Sequence, residues 1–309
     1  MAPSVYLDMD PGHDDALALL VALATLSVRG LTTVAGNQTV DKTYLNARRV
    51  LFLAQNSTVP VAKGFAQPLF RELVTAGDVH GQSGLDGYDF PVMAEPTEIL
   101  NAMAFLERSF MAESSPLQWI ATGPLTNLAA FLMGHPELIA KVGQITFMGG
   151  ALDGGNVTPY AEFNIFVDPD AAAYVVNSGI PMRMVGLDVT HRALLDPGEL
   201  QRFLELGDPI GVMLFHLFSF YGRHEPNAGS AGMPIHDVLA VAAAVDPSLF
   251  VWQTTPLAVE RCNETHRGAT RAKPASQGYP EIEVAVDIDV PRFFAWMWQA
   301  LSVYRPNGL

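Results

Sequence analysis

Apolar positions along this chain follow two periods in turn. Val5 to Met9 is a short, nearly unbroken apolar run, as expected of a strand covered on both faces. From Asp14 to Leu26 the period changes, and Leu17, Leu20, Val21 and Ala24 recur at helical spacing. A strand over 31–36, an amphipathic helix over 41–55 and a short strand over 59–64 follow. This β-α-β-α-β opening predicts a parallel sheet with helices on its faces. Residues 66–94, rich in Gly and Asp, carry no period, and a loop of that length inside a compact domain is a functional candidate.

The alternation then resumes. The pattern predicts a helix over 96–113, a strand over 117–122, a helix from Leu125 and a strand over 144–150. A second Gly-rich loop, "GGALDGGNVTP", leads to a helix over 169–178 and a strand over 182–187. Beyond that the chain reads as mostly helical, at 197–206, 208–223 and 236–245, with one half-exposed strand over 281–290 and a closing helix "RFFAWMWQAL". No internal repeat or linker-like run interrupts it. The expectation is one domain over 1–309: an open, mostly parallel α/β sheet of Rossmann-like type with helical C-terminal additions.

Composition narrows the function more than the fold. Hydrophobic residues make up 49% of the 309 and charged residues 16%, enough apolar material for a large core. The formal net charge of −14 argues against a nucleic-acid backbone or an anionic membrane as partner, and leaves neutral small molecules and cations. A single cysteine, Cys262, excludes an internal disulfide and is expected as a packed or half-exposed thiol. The start, "MAPSVYLDMD", has neither a basic nor an apolar leader segment, and no apolar run reaches membrane-spanning length. A cytoplasmic location is expected.

Ligands of open α/β sheets bind outside the carboxyl ends of the strands. Polar residues cluster at those places: Asp8 and Asp10 after the first strand, Gly36-Asn37 after the second, Thr122-Gly123-Pro124, and Gly149-Gly150 followed by Asn156, Glu162 and Asn164. His236-Asp237 stands at a further predicted helix start. In "DMDPGHDD", Asp8 and Asp10 share a strand face, and Asp14 and Asp15 fall in a first helical turn. A helix dipole stabilises one or two carboxylates by about 0.3–1 kcal/mol each. Two unit charges about 4 Å apart repel by about 4 kcal/mol at an effective dielectric of about 20. Protonation or a bound hard cation, Ca²⁺ or Mg²⁺, resolves that repulsion; a solvated acidic turn is the plainer alternative.

"DMDPGHDDALAL" resembles the DxDxGxDD signature of the nucleoside hydrolases, the inosine–uridine-type nucleoside N-ribohydrolases. "VAGNQT", "VHGQSGLDG", "ATGPLTNLA", "MGGALDGGNVTPYAEFNIFVDPDAA" and "IHDVLAV" are similar to further family segments, in family order, over roughly 5–245. The resemblance implies the nucleoside hydrolase fold and Ca²⁺-dependent cleavage of ribonucleosides to ribose and free base, on the inosine–uridine or pyrimidine-preferring side because His236 precedes Asp237. It implies Ca²⁺ ligands from Asp10, Asp15, Asp237 and the Thr122 carbonyl, with Asp10 also the base and Asp8 a support. Asp14, Asn156, Glu162, Asn164 and Asp237 would grip the ribose, with Asn37 nearby. His80 and His236 would face the nucleobase, with His236 as acid, and Tyr221 is a second candidate. A dimer or tetramer is implied by family habit and by the apolar stretch 208–221.

The chain departs from the family at Val238, where a proline is usual, and in the segment 222–234, which does not align. His13 receives no role, His216 reads as a core or interface histidine, and Asp287 and Asp289 read as the outer face of a strand. Two other readings compete: a Mg²⁺-dependent phosphohydrolase with Asp8 as nucleophile, and a catalytically silent ribose-binding protein.

Overall fold

The computed structural model describes residues 4–94, 96–207, 209–229 and 231–305. The chain runs β1 (Ser4–Met9), α1 (His13–Thr25), β2 (Ser27–Thr33), α2 (Val40–Leu53), β3 (Val61–Lys63), α3 (Gly77–His80), β4 (Leu100–Asn101), α4 (Ala102–Ala112), β5 (Leu117–Ala121) and α5 (Thr126–Gly134). It continues through β6 (Val142–Met148), α6 (Phe163–Val167), α7 (Pro169–Val176), β7 (Met182–Val185), α8 (Leu187–Thr190), β8 (Leu194–Leu195), α9 (Pro197–Arg202) and α10 (Ile210–His224). It closes with β9 (Met233–Pro234), α11 (His236–Val245), β10 (Phe250–Val259), β11 (Thr270–Ala272), β12 (Glu281–Ile288) and α12 (Val290–Leu301).

Ten strands form one sheet in the order β11-β10-β12-β7-β6-β5-β1-β2-β3-β4, parallel from β12 through β4 and antiparallel at β10 and β11. The expected mostly parallel α/β sheet flanked by helices is therefore present. Its registers align the strand ends that matter. Met9 lies opposite Thr33, Asp8 opposite Ala121, Ala121 opposite Phe147 and Met148 opposite Val185. The residues following β1, β2, β5 and β6 thus meet at one edge.

Two apolar layers cover the sheet. In the first, α1 is buried on every side from His13 to Ala22 and packs against α11. The sequence of α11, "HDVLAVAAAV", places small side chains along that contact, so the two helices approach closely and Asp237 comes to the start of α1.

Several expectations need correction. The C-terminal part carries the expected helices α9 to α12 and the expected strand β12, and it adds two strands that the pattern did not give, β10 and β11, which extend the main sheet. The run "FVWQTTPLAV" contains Pro256, which argues against a strand interior, but Pro256 sits where pairing to β12 ends and pairing to β11 begins. The helix expected from 96 begins at Ala102, capped by the Asn101 side chain, because Leu100 and Asn101 pair with β3 instead. Asp289 is a helix cap for α12 rather than a strand-face residue, while Asp287 is exposed and paired with Arg192. Cys262 and His216 are both exposed. Helix α10 turns Ile210, Met213, Leu214, Leu217, Phe218 and Tyr221 into the core of the chain itself. Residue 208 of that expected helix and residues 1–3 lie outside the described residues. No described helix is long and apolar enough to cross a membrane.

Candidate active site

At the carboxyl edge of the sheet lies a cavity of about 310 Å³, within the range of small-molecule sites. Asp14, Asn37, His80, Thr122, Asn156, Glu162, Asn164, Tyr221, His236 and Asp237 all line it. Seven stretches distant in sequence thus meet at one cavity. Among the described residues, no Lys or Arg lines it, so it offers no cation to a phosphate.

The floor is a ring of buried carboxylates. Carboxylate oxygens of Asp14, Asp15 and Asp237 lie within 4.8 Å of one another. Asp15 is fixed from three sides: Oδ2 accepts the Gly12 N–H at 2.9 Å and the Asn37 amide at 3.1 Å, and Oδ1 accepts the Thr122 hydroxyl at 2.7 Å. Asp10 stands beside this trio. Its Oδ2 accepts the Asn37 N–H at 2.7 Å, while Oδ1 is buried without any partner. Backbone presses in on it from two sides, since a Cβ at Gly36 would lie 2.1 Å from Oδ2 and one at Gly123 2.7 Å from Oδ1. Burial, then the charge on Asp15, holds the Asp10 carboxyl well above the usual range. Burial likewise raises Asp14 to about 8, with Asp15 adding to it, and raises Asp237, with Asp14, Asp15 and Asp10 adding.

This donor set fits a hard cation. It consists of oxygens alone, it converges, and it contains an orphaned carboxylate oxygen on Asp10. The trio includes Asp14, which the sequence places on the ribose, while Asp10 is a neighbour of the trio rather than a member. Asp8, one layer down, accepts from Thr32 at 2.6 Å and Asn127 at 2.7 Å, and burial lifts its carboxyl to about 7.

The walls carry directional groups. Glu162 caps α6: Oε1 accepts the Asn164 N–H at 2.8 Å, and Oε2 accepts from Gly150 at 2.9 Å and Ile165 at 3.2 Å. Burial raises its carboxyl to about 7. The Asn164 amide donates to the Thr122 carbonyl at 2.7 Å, leaving that oxygen a second lone pair. Asn156, half-buried, accepts the Phe163 N–H at 2.9 Å.

Opposite them stand the rings. His236 rests its Nδ1 on the Thr190 hydroxyl at 2.8 Å, and burial lowers its pKa to about 3, so it is neutral near pH 7. Tyr221 stacks on His80 and is fully buried, with Glu225 beside its phenol. Three participants received no role from the sequence: His13, which contacts His80; Thr190, which holds His236; and Glu225, on the cavity wall. Thr190 was accessible to the strand-end rule, since "GLDVT" directly follows β7. His13 was not, because its slot in DxDxGxDD shows no fixed chemistry.

Comparison with known proteins agrees with this geometry. The family described as "Inosine-uridine preferring nucleoside hydrolase" matches residues 5–295. The pyrimidine-specific ribonucleoside hydrolase RihA of Salmonella arizonae is 40% identical over 310 residues, covering 98% of this chain and all of the relative. The protein of the same name from Shewanella sp. is 41% identical over 320 residues, covering 100% of this chain and 99% of its own. Among solved structures, a purine-preferring ribonucleoside hydrolase from Gardnerella vaginalis superposes with a TM-score of 0.91 at 32% identity, covering 97% of this chain and 98% of its own.

Proposed function

Because the chain belongs to the inosine–uridine preferring nucleoside hydrolase family and is a ribonucleoside hydrolase, we propose that it hydrolyses pyrimidine ribonucleosides to ribose and free base with Ca²⁺ bound on the carboxylate floor. One observation carries this reading: a cavity with no cationic side chain among the described residues, floored by Asp14, Asp15 and Asp237 beside an unpartnered Asp10 oxygen.

Asp15, Asp237, Asp10 and the Thr122 carbonyl would hold the ion, and the grouping of Asp14 with Asp15 and Asp237 brings a further oxygen within reach. When bound, Ca²⁺ supplies charge compensation and lowers the pKa of water. Asp10 takes the proton of the attacking water through the Oδ1 that no protein group uses. The new bond forms at C1′ as the bond to the base nitrogen breaks, through an oxocarbenium-like state. Asp14, Asn37, Asn156, Glu162, Asn164 and Asp237 fix the ribose hydroxyls. A 2′-deoxyribose would leave some of those buried groups unpaired and be rejected.

The departing base faces His80 and His236. A Thr190 hydroxyl donating to Nδ1 would leave the His236 proton on Nε2, and the ring, neutral because burial lowers its pKa, would then act on the base as a hydrogen-bond donor. The high identity to proteins named pyrimidine-specific supports pyrimidine preference.

The test is sugar release from uridine, cytidine, inosine, adenosine and 2′-deoxyuridine, with and without EDTA. Uridine and cytidine are expected to react fastest and 2′-deoxyuridine slowest, with activity lost on chelation and restored by Ca²⁺. Asp10→Asn is expected to lower kcat by at least about 100-fold, the scale of a general-base contribution. Full activity of Asp10→Asn, or inert pyrimidine nucleosides, would remove the assignment.

A further inference from the structure

His13 sits in the variable position of the acidic motif, yet it is fully buried and two of its ring contacts are polar. Its Nδ1 lies 3.0 Å from Nδ1 of His80, and its Nε2 lies 2.9 Å from the backbone carbonyl oxygen of Asp86. Its faces are covered by His80, Phe220 and Tyr221, with ring centroids 5.3 to 5.5 Å away.

The proton positions follow from these contacts. A carbonyl oxygen only accepts, so Nε2 of His13 must carry a proton. Packed among three other rings, with no ion-pair partner among the described residues, His13 is neutral, so its Nδ1 is a bare lone pair. The proton between the two rings therefore belongs to Nδ1 of His80, which leaves Nε2 of His80 without one. His80 lines the cavity, and among the described residues nothing hydrogen-bonds that Nε2.

One contact favours the opposite arrangement: the His13 backbone N–H lies 3.3 Å from Nδ1 of His80. Letting Nδ1 accept there would place the His80 proton on Nε2. It would also turn the His13 proton toward His80 and set two lone pairs against each other at 2.9 Å between His13 Nε2 and the Asp86 oxygen. The arrangement satisfying both short contacts is the first.

We propose that His13 is a positioning residue that fixes His80 in its Nδ1–H tautomer, so that His80 meets the bound nucleoside as a hydrogen-bond acceptor for an N–H or O–H of the ligand. The functional half rests on the nucleoside hydrolase reading; the tautomer itself does not. The close approach depends on Gly12, where a Cβ would lie 2.6 Å from Nδ1 of His80.

The test is two-bond ¹H–¹⁵N correlation NMR on the full-length Ca²⁺-loaded enzyme labelled with ¹⁵N-histidine, which reads each ring's tautomer whether or not a nucleoside is cleaved. His80 is expected as Nδ1–H and His13 as Nε2–H. His13→Phe keeps a ring in the stack but removes both nitrogens. It should release His80 to a mixed or Nε2–H tautomer and raise KM about tenfold, the worth of one buried hydrogen bond, with a smaller change in kcat. His13→Asn, whose amide oxygen falls near the Nδ1 position, should restore the Nδ1–H tautomer and most of the affinity. His80 as Nε2–H in the unmodified enzyme, or an unchanged tautomer in His13→Phe, would overturn the proposal. Correct tautomers in an enzyme that cleaves no nucleoside would instead count against the function.

Discussion

A single hydroxyl illustrates how this site is tuned at the scale of one residue. Thr190, buried at the end of α8, is the partner of His236 Nδ1. Thr190→Val keeps the volume and removes the hydroxyl, leaving the imidazole free to carry its proton on either nitrogen. Loss of one buried hydrogen bond predicts a fall in kcat of about tenfold, with the fold retained; single-turnover cleavage beside a thermal melt separates the two effects. An unchanged kcat would show that His236 does not need this partner. The same scale shows what a sequence reveals. Each of the carboxylates and amides it singled out stands in or just under the cavity, because acids without counter-ions at strand ends are conspicuous. The division of labour among them was not readable. Whether Asp10 or Asp14 shares a 4.8 Å cluster with Asp15 and Asp237 depends on where a side chain points after a turn, and spacing does not encode that.

At the scale of elements, the long aperiodic stretch between β3 and β4 is the part that sequence pattern left blank, and it is pinned at identifiable points. Asp168, buried at the start of α7, accepts the Leu69 N–H at 2.8 Å, the Thr126 hydroxyl at 2.7 Å and the Ala171 N–H at 3.0 Å. It therefore ties the base of this stretch to α5 and α7, while α3 at its far end carries His80. Between them Val74, Thr75 and Ala76 form cavity wall. Asp168→Ala removes the anchor and a helix cap together. The expected cost is about 2–4 kcal/mol of stability, from roughly 1 kcal/mol for the cap and 1–3 kcal/mol for a buried donor left unpaired. KM should rise more than kcat falls, because the wall loosens while the carboxylate floor is untouched. Urea titration and steady-state kinetics check both, and a variant with unchanged KM would mean the stretch is held elsewhere. The parallel strands were legible because burial on both faces writes a continuous apolar run. Strand β10 was not: only Phe250, Thr255 and Leu257 of its residues are fully buried, and Pro256 reads as an interruption.

At the scale of the whole molecule, the carboxylate floor sets how stability depends on pH. In the chelated protein, burial raises Asp8 and Glu162 to about 7 and Asp14 to about 8, and it holds Asp10 and Asp237 well above the usual carboxylate range, with neighbouring charge adding to both. Each folded-state value lies above that of the unfolded chain, near 4. Such groups contribute stability that is complete below about pH 4 and is lost as pH climbs through the folded values. Three buried histidines act in the other direction. Burial lowers His13 to about 4, His236 to about 3 and His80 well below its ordinary value, so their stabilising share is present above about pH 6.5 and lost below it. Between pH 7 and 9 the histidine contribution is therefore flat and the carboxylates decide the slope. The chelated enzyme should lose thermal stability steadily over that interval. Ca²⁺ binds the ionised carboxylates, so its stabilisation should grow as they shed their protons; at about 100 times its dissociation constant it amounts to about 2.7 kcal/mol. Melting curves with EDTA or saturating Ca²⁺ at pH 7.0, 8.0 and 9.0 test both statements. The gap in Tm between the two states should widen with pH, chiefly because the chelated curve falls. A chelated Tm that rises over this range, or a gap independent of pH, would mean that the carboxylates are already ionised without the ion and that the fold tolerates their repulsion by itself.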